Sequence, residues 1–291
     1  MPAADSRALA WLEDSSAPYS CAPGETVACE KREPPLFPAD GAVTVLSAAI
    51  ANVGRRGFEA DLSKLLQATT GYESIAIIAF TVPGKPHRLY DNLSPLDQQR
   101  ALDPYLAGAY LLDPWYYMVL KEVPDGIYRL SDLAPDDFEQ SEYYQRYYAR
   151  AGCHDECGMF IRVSANVCIV ISLVLYSTAC RAEIDLQAAR SLFPCIRALC
   201  LRHWGELSVE QAGPHETLED LCRRKGLSSR EGQVTALVLR GYSNKLIARE
   251  LDLSPETVKV YRKRVNRKLG TSSSRQIFTS FFALPADATL S

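Results

Sequence analysis

The chain has 291 residues, of which 47% are hydrophobic and 23% charged, and this is the composition of a globular protein with room for two domains. Its net charge of −3 hides an uneven distribution, because residues 221–275 carry 14 Lys and Arg against 4 Asp and Glu, whereas the remainder carries 18 against 31. A segment of net charge +10 beside a body of −13 predicts a DNA-binding module joined to a domain that repels phosphate.

The apolar runs exclude a membrane span and a secretory signal peptide. The longest, Val167–Tyr176, is too short to cross a bilayer and predicts a buried strand, and Ala8–Leu12 is too short for a signal-peptide core. We therefore expect a cytoplasmic protein without a membrane partner, whose nine cysteines are reduced thiols.

The first predicted domain has helices on both sides of a central sheet. Residues 1–40 hold six of the seventeen prolines and are predicted to be a mostly disordered leader. A ligand-sensing α+β domain is predicted over residues 41–210, followed by a linker at 211–226. Its expected elements are helices at Gly41–Val53 and Phe58–Thr70, a strand at Ser74–Val82, helices at Pro95–Leu112 and Pro135–Arg150, antiparallel strands at Gly158–Val163 and Asn166–Tyr176, and a helix at Ala182–Val209 that Pro194 kinks or breaks.

Residues 227–291 are predicted to form an all-α domain of four helices that contains a helix-turn-helix. A serine precedes each of the first three helices, and Gly241 and Gly270 follow the first and the third. The expected helices run from Ser228 to Arg240, from Asn244 to Leu251, from Pro255 to Leu269 and from Arg275 to Leu284. Because a short turn joins the second helix to the third, the third is expected to enter the major groove of DNA.

The predicted third helix is amphipathic. Its apolar stripe consists of Val258, Tyr261, Val265 and Leu269, and its basic arc of Lys259, Arg262, Lys263, Arg267 and Lys268. A basic helix can be a solvated charged face, but three successive capped helices and the local charge of +10 favour DNA binding.

Three stretches of this domain closely resemble the helix-turn-helix of the LuxR family. They are Leu227-Ser-Ser-Arg-Glu, Gly241-Tyr-Ser-Asn-Lys-Leu-Ile-Ala and the run from Leu253 to Gly270. The resemblance implies that bases are read by Lys259, Val260 and Lys263. It implies phosphate contacts from Asn244, Lys245, Thr257, Tyr261 and Lys268, with Tyr261 at a position where many members have His.

The same resemblance implies double-stranded DNA as a partner and favours a homodimer. The fourth helix, with Ile277 and Phe278, either packs on its own domain or meets a second copy. In the second case, two recognition helices would lie roughly 34–36 Å apart, one turn of DNA.

A second candidate site lies in the aromatic segment 105–148. The predicted ligand-binding residues are Tyr105, Tyr110, Asp113, Trp115, Tyr116, Tyr128 and Tyr144. Aromatic side chains with polar tips suit a mostly apolar pocket, although most of them could equally form an ordinary core. Asp113 is the exception, because a carboxylate among aromatic rings is costly unless it pairs with a ligand donor or caps a helix.

This segment is similar to the sensor domains of LuxR-family regulators. Tyr105, Asp113-Pro114 and Tyr128 come close to the pattern of acyl-homoserine-lactone receptors, but Ala101 stands where those receptors place a Trp. The run Phe138–Tyr148 is more similar to regulators with a GAF-like sensor. The resemblance therefore implies an α/β/α sandwich of GAF/PAS-like type that binds a small amphipathic effector, with an acyl-homoserine-lactone receptor as the alternative.

The stretch from Cys153 to Cys157 offers a further alternative, a metal or redox sensor that uses Cys153, His154 and Cys157. No second metal-binding pair accompanies it, so no metal or other cofactor is expected. The sequence also lacks a phosphate-binding loop, a His-Glu-x-x-His motif and a nucleophile elbow, which argues against an enzyme. It predicts a ligand-responsive regulator of transcription.

Overall fold

The computed structural model describes residues 39–82, 84–135, 137–149, 152–153, 155–175, 186–207 and 217–282. The predicted leader lies outside these residues except for its last two, which already belong to helix α1 (Ala39–Ala51).

A five-stranded antiparallel sheet forms the centre of the N-terminal domain, as predicted, with the strand order β2-β1-β5-β4-β3. The strands are β1 (Ser74–Thr81), β2 (Pro86–Asp91), β3 (Gly126–Arg129), β4 (Asp155–Ser164) and β5 (Val167–Leu175). The long apolar runs of β1, β4 and β5 were predictable. The strands β2 and β3 were not predicted, because both are short edge strands with little apolar alternation.

Alternation along the central strands gives the sheet two different faces. On one face, Ile77, Met159 and Ile171 are buried in a core that includes residues of α2 (Phe58–Thr70) and α7 (Gln187–Trp204). Helix α1 packs on α2. The other face is lined by short helical segments, which completes the predicted sandwich.

These short segments include the two stretches that were predicted to be helical. In chain order they are α3 (Pro95–Asp97), a π-helical turn (Gln98–Leu102), α4 (Asp103–Ala107), a 3₁₀ turn (Ala109–Leu112), α5 (Pro114–Leu120), α6 (Leu130–Leu133), a 3₁₀ turn (Phe138–Gln140) and a π-helical turn (Tyr144–Tyr148). The predicted helical stretch Pro95–Leu112 is confirmed except at Gly108, whose φ of 155° separates the continuous helical residues 95–107 from the 3₁₀ turn. The predicted stretch Pro135–Arg150 is only partly helical, because Ser141 is extended between its two turns.

The C-terminal domain contains five helices within the described residues. They are α8 (Leu218–Arg224), α9 (Ser229–Leu239), α10 (Asn244–Glu250), α11 (Pro255–Leu269) and α12 (Ser274–Phe281). The last four confirm the predicted helices. Helix α8 corrects the predicted linker, because Thr217 and Asp220 form a capping box that starts a helix packed on α9.

Helix α7 runs through Pro194, so of the two predicted outcomes, a kink or a break, the break is wrong. None of the described helices combines the length and the apolar character that a bilayer crossing requires.

Candidate ligand cavity and DNA-binding surface

A cavity lies between the sheet and the short helical segments of the N-terminal domain. Strands β1 and β5 contribute apolar side chains, among them Ile78, Val170 and Val174. The aromatic residues that line it are Phe80, Tyr105, Trp115, Tyr143, Tyr147 and Tyr148. About 70 Å³ of the cavity is open to water molecules, several times the roughly 10–15 Å³ that one water needs.

Asp113 is held firmly in the wall of this cavity and is only 3% exposed. Its Oδ1 accepts a hydrogen bond from the backbone N–H of Trp115 (3.0 Å), and its Oδ2 accepts one from the hydroxyl of Tyr105 (2.6 Å). Asp113 therefore caps α5 and lines the cavity at once. Burial, reinforced by the charge of Glu156, raises the pKa of Asp113 to about 8, although the bonds from Tyr105 and Trp115 oppose the rise.

Glu156 of β4 reaches the same cavity, and Asp113 and Glu156 are called the acidic pair below. Oε1 of Glu156 accepts a hydrogen bond from the hydroxyl of Ser172 (2.6 Å). Burial raises the pKa of the Glu156 carboxyl, although Ser172 and the nearby indole N–H of Trp115 oppose the rise. That indole N–H reaches hydrogen-bonding geometry with no described atom: Trp115 is 3% exposed, and its Nε1 is buried without a partner. The cavity thus holds polar groups whose bonding capacity is partly unused.

Three of the seven predicted ligand residues line this cavity, namely Tyr105, Asp113 and Trp115. The other four, Tyr110, Tyr116, Tyr128 and Tyr144, are absent from its walls. Tyr110 and Tyr116 pack edge to face on each other, and Tyr128 donates its hydroxyl to the carbonyl oxygen of Pro124. Tyr144 packs on Phe138 and Tyr148.

Five further residues that were not predicted as ligand residues also line the cavity, namely Glu156, Ser172, Tyr143, Tyr147 and Tyr148. The alternation of side chains between the two faces of β4 could have indicated that Glu156 lines the cavity. Because Cys157 and Met159 belong to the opposite core, the residue before Cys157 must face the cavity.

The cysteines of the proposed metal or redox site lie on different sides of the sheet. Cys153 lines the cavity, whereas Cys157 is buried in the core of the opposite face. Burial raises the pKa of the Cys157 thiol to about 12, so it is a neutral, poorly reactive side chain. His154 lies outside the described residues, and within those residues no group of three His, Cys, Asp or Glu side chains could hold a metal ion.

Helix α11 presents an exposed face of basic and apolar side chains. Ser254 caps the helix by accepting the Thr257 N–H (3.1 Å), and Val258 and Val265 are buried beneath it. The exposed residues of its outer face are Lys259, Val260, Lys263, Arg264, Arg267 and Lys268. Val260 is 48% exposed next to Lys259, an arrangement suited to a thymine methyl group beside phosphates and base edges.

Two of the predicted DNA contacts also hold the module together. Asn244 on α10 accepts a hydrogen bond from Arg262 on α11 (2.8 Å), and Lys268 donates to the buried Glu231 (2.6 Å). Burial alone would raise the pKa of Glu231, but Lys268 and Ser228 hold it below its usual range.

The remaining predicted contacts face solvent more freely. Lys245 and Lys263 are exposed, Lys259 forms an exposed ion pair with Glu256, and Tyr261 is half-buried. The hydroxyl of Thr257 shares a hydrogen bond with Ser254 (2.8 Å).

The DNA-binding module is docked on the N-terminal domain beside α5. Arg240, which is 4% exposed, lies 4.7 Å from the ring centre of Tyr117 and donates to the carbonyl oxygen of Leu111 (3.3 Å). The Tyr117 hydroxyl and the Lys121 ammonium both donate to Oε1 of Glu250, at 2.8 and 2.6 Å.

Gly241 lies against the turn at residues 137–141 of the N-terminal domain. It has φ 87°, and a Cβ at this position would lie 2.9 Å from Cβ of Ser141, 3.0 Å from Cα of Phe138 and 3.1 Å from the carbonyl oxygen of Asp137. Phe138 in turn packs on Tyr143 and Tyr148, which line the cavity. The module therefore contacts the cavity wall through two routes, α5 and the turn at residues 137–141.

Comparison with known proteins identifies the C-terminal domain. Residues 225–281 match the family described as "Bacterial regulatory proteins, luxR family". A helix-turn-helix-type transcriptional regulator in the exeN 3′ region of Aeromonas salmonicida is 26% identical over 182 residues, which are 58% of this chain and 92% of the relative.

Two further similarities have different extents. The helix-turn-helix-type transcriptional regulator MalT of Yersinia pestis is 35% identical over 74 residues, but this chain spans only 8% of the length of MalT. The crystal structure of the VqsR LBD domain of Pseudomonas aeruginosa aligns with 58% of this chain and 99% of its own, at 24% identity and a TM-score of 0.48.

Proposed function

We propose that this chain is a transcriptional regulator, because residues 225–281 match the luxR family of bacterial regulatory proteins, and that its N-terminal domain binds a small amphipathic ligand that controls DNA binding. The observation that supports this proposal most directly is the position of α5. Its cap Asp113 and its residue Trp115 line the cavity, whereas Tyr117 and the following Lys121 contact the DNA-binding module.

The length of α5 makes it suited to such coupling. The helix has seven residues, so a displacement at its first turn is passed to its last turn almost undiminished. A ligand that binds the two arrangements of α5 unequally would shift the balance between docked and released modules, because only differential affinity can move an equilibrium.

On the DNA side, we propose that α11 lies in the major groove of double-stranded DNA. Lys259, Val260 and Lys263 would read base edges, while Asn244, Lys245, Thr257, Tyr261 and Lys268 would contact phosphates. The exposed outer face of α11 supports this arrangement.

A homodimer on DNA is part of the same proposal. Ile277 and Phe278 of α12 are buried, so they support the packing of α12 on its own domain. The partly exposed Phe281 and Phe282 at the end of the helix are left for a second copy.

Thermal unfolding with a panel of amphipathic metabolites tests the ligand half of this proposal, since a ligand that binds only the folded chain raises the midpoint. Tyr105→Phe and Tyr128→Phe each remove one hydroxyl, but only Tyr105 lines the cavity. We expect an active compound whose shift falls in Tyr105→Phe, is unchanged in Tyr128→Phe, and is accompanied by altered affinity for operator DNA. A compound that acts equally on both variants, or that leaves DNA affinity unchanged, would contradict the proposal.

A further inference from the structure

We propose that the effector is a protonated amine with an apolar tail, held by the acidic pair, Asp113 and Glu156, among aromatic walls. This inference rests on the proposed ligand-sensing function and names the chemical class of the ligand.

The charges of the cavity favour a cation. Asp113 and Glu156 both line it, and none of the described lining residues is Lys, Arg or His. A carboxylate taken out of water costs several kcal/mol unless a partner compensates for it. An ammonium group supplies a positive charge and three donors, enough for both carboxylates at once, whereas a single amide N–H satisfies only one acceptor.

The raised pKa values of both carboxyls have the same origin, which is burial without a described counter-charge. A ligand ammonium would stabilise the charged forms of both groups, so its binding is linked to release of protons from the carboxyls. An anionic ligand would be repelled by the same groups, and a neutral one would gain no ion pair.

The aromatic walls favour the same class of ligand. The rings of Tyr105, Trp115, Tyr143 and Tyr147 line the cavity, and a cation is attracted to the faces of such rings. Burial raises the pKa values of Tyr105 and Tyr143 well above the usual range, so these hydroxyls stay neutral and add no charge of their own. The same rings provide an apolar surface for an alkyl or aryl tail.

Trp115 adds one further requirement. Its buried indole N–H lies near the Glu156 carboxyl but forms no hydrogen bond of ordinary geometry within the described part of the chain, and the residue lines the cavity. A buried donor without a well-formed hydrogen bond costs free energy, which a ligand oxygen next to the amine would recover. The preferred effector is therefore an amine that carries a neighbouring hydroxyl or carbonyl oxygen.

Isothermal titration of the full-length protein at pH 7 with three compounds of similar size tests the class. Phenethylamine is cationic, 2-phenylethanol is neutral and phenylacetate is anionic. We expect phenethylamine to bind at least about tenfold more tightly than 2-phenylethanol, which is about 1.4 kcal/mol, and phenylacetate to bind most weakly. In Glu156→Gln the preference for the amine should fall to near unity, whereas Glu73→Gln, which changes an exposed carboxyl outside the cavity, should retain it.

A fourth compound tests the proposed preference for an oxygen next to the amine. 2-Amino-1-phenylethanol should bind the natural protein more tightly than phenethylamine does, and Trp115→Phe should abolish this difference while preserving the amine preference.

The wild-type comparison decides the amine class even if a cavity variant fails to fold. Equal binding of amine and alcohol, or no binding of any of the three compounds, overturns the amine class. The ligand-sensing function is judged separately by the effect of an active compound on DNA affinity, so a neutral effector that acts through Tyr105 would leave that function intact.

Discussion

At the scale of single residues, the acidic pair shows what the sequence can and cannot locate. Asp113 was predictable, because a carboxylate inside an aromatic segment requires a physical reason. Glu156 lies next to Cys157 in a stretch that also suggested metal binding, and its role depends on which face of β4 it occupies. That face is set by the pairing of β4 with β5, a long-range property that local spacing does not contain.

The raised pKa of Asp113 predicts that stability falls as pH increases. An Asp in an unfolded chain has a pKa of about 3.9, whereas that of folded Asp113 is about 8. Between these pH values the folded state binds more protons than the unfolded state does. The stabilising contribution of Asp113 is therefore fully present below about pH 4 and is lost as pH rises through about 8.

Denaturant unfolding at pH 5, 6, 7 and 8 measures this dependence. Asp113→Asn should flatten the decline, because the amide does not titrate and its oxygen can still cap α5 at Trp115. Parallel declines in the natural protein and the variant would show that Asp113 does not carry the effect.

The exposed lysines of the DNA-binding module should divide into two classes. Lys259→Ala is expected to cost about 1–3 kcal/mol on the preferred operator and to relax specificity at one base pair. Lys245→Ala should weaken binding to all duplexes alike and lower the slope of log K against log salt by about 0.9. Electrophoretic or fluorescence titrations on cognate and scrambled duplexes compare the two, and identical behaviour would contradict the assigned roles.

At the scale of elements, the helix-turn-helix was predictable because its signals are local. The serines before α9, α10 and α11 accept the expected backbone N–H groups, and Gly270 ends α11 in the left-handed region. The segment over the sheet was less predictable. Its helical character was predicted at Pro95–Leu112 and Pro135–Arg150, but its division into α, π and 3₁₀ turns was not, because apolar spacing does not distinguish these helix types.

Two glycines provide a matched test of the docked arrangement. Gly241 and Gly270 both have positive φ, but a Cβ would contact the N-terminal domain only at Gly241. Gly270→Ala should therefore cost only the backbone strain of about 1 kcal/mol. Gly241→Ala should add a clash with the turn at residues 137–141 and so release the module.

Small-angle X-ray scattering and ligand-dependent DNA titration check this expectation. Gly241→Ala should have a larger radius of gyration and a smaller effect of ligand on DNA affinity, while Gly270→Ala should match the natural protein in both. An unchanged ligand effect in Gly241→Ala would show that docking at this turn does not transmit occupancy.

At the scale of the whole molecule, the uneven distribution of charge predicts that only the C-terminal module contacts DNA. The module that contains α11 has a net charge of +10 over residues 221–275, and the rest of the chain has −13. The acidic remainder should neither contact DNA nor contribute released counterions.

The salt dependence of DNA binding tests this division. A fragment of residues 217–291 and the full chain should show the same slope of log K against log salt, because the cations that displace counterions all lie in the fragment. At low salt the fragment should bind non-cognate duplex more tightly, since it lacks the repulsion of the acidic domain. A steeper slope for the full chain would mean that cations outside the module also touch the phosphates.

The unsatisfied polar groups of the cavity also bear on how long each molecule survives in a cell. Without its effector, the chain keeps Asp113, Glu156 and the Trp115 indole in an environment that does not fully satisfy them. A lower free energy of unfolding exposes more molecules to proteases at any moment. We therefore expect the effector to lengthen the half-life of the regulator, so that abundance and occupancy rise together and the cellular response is steeper than binding alone would make it.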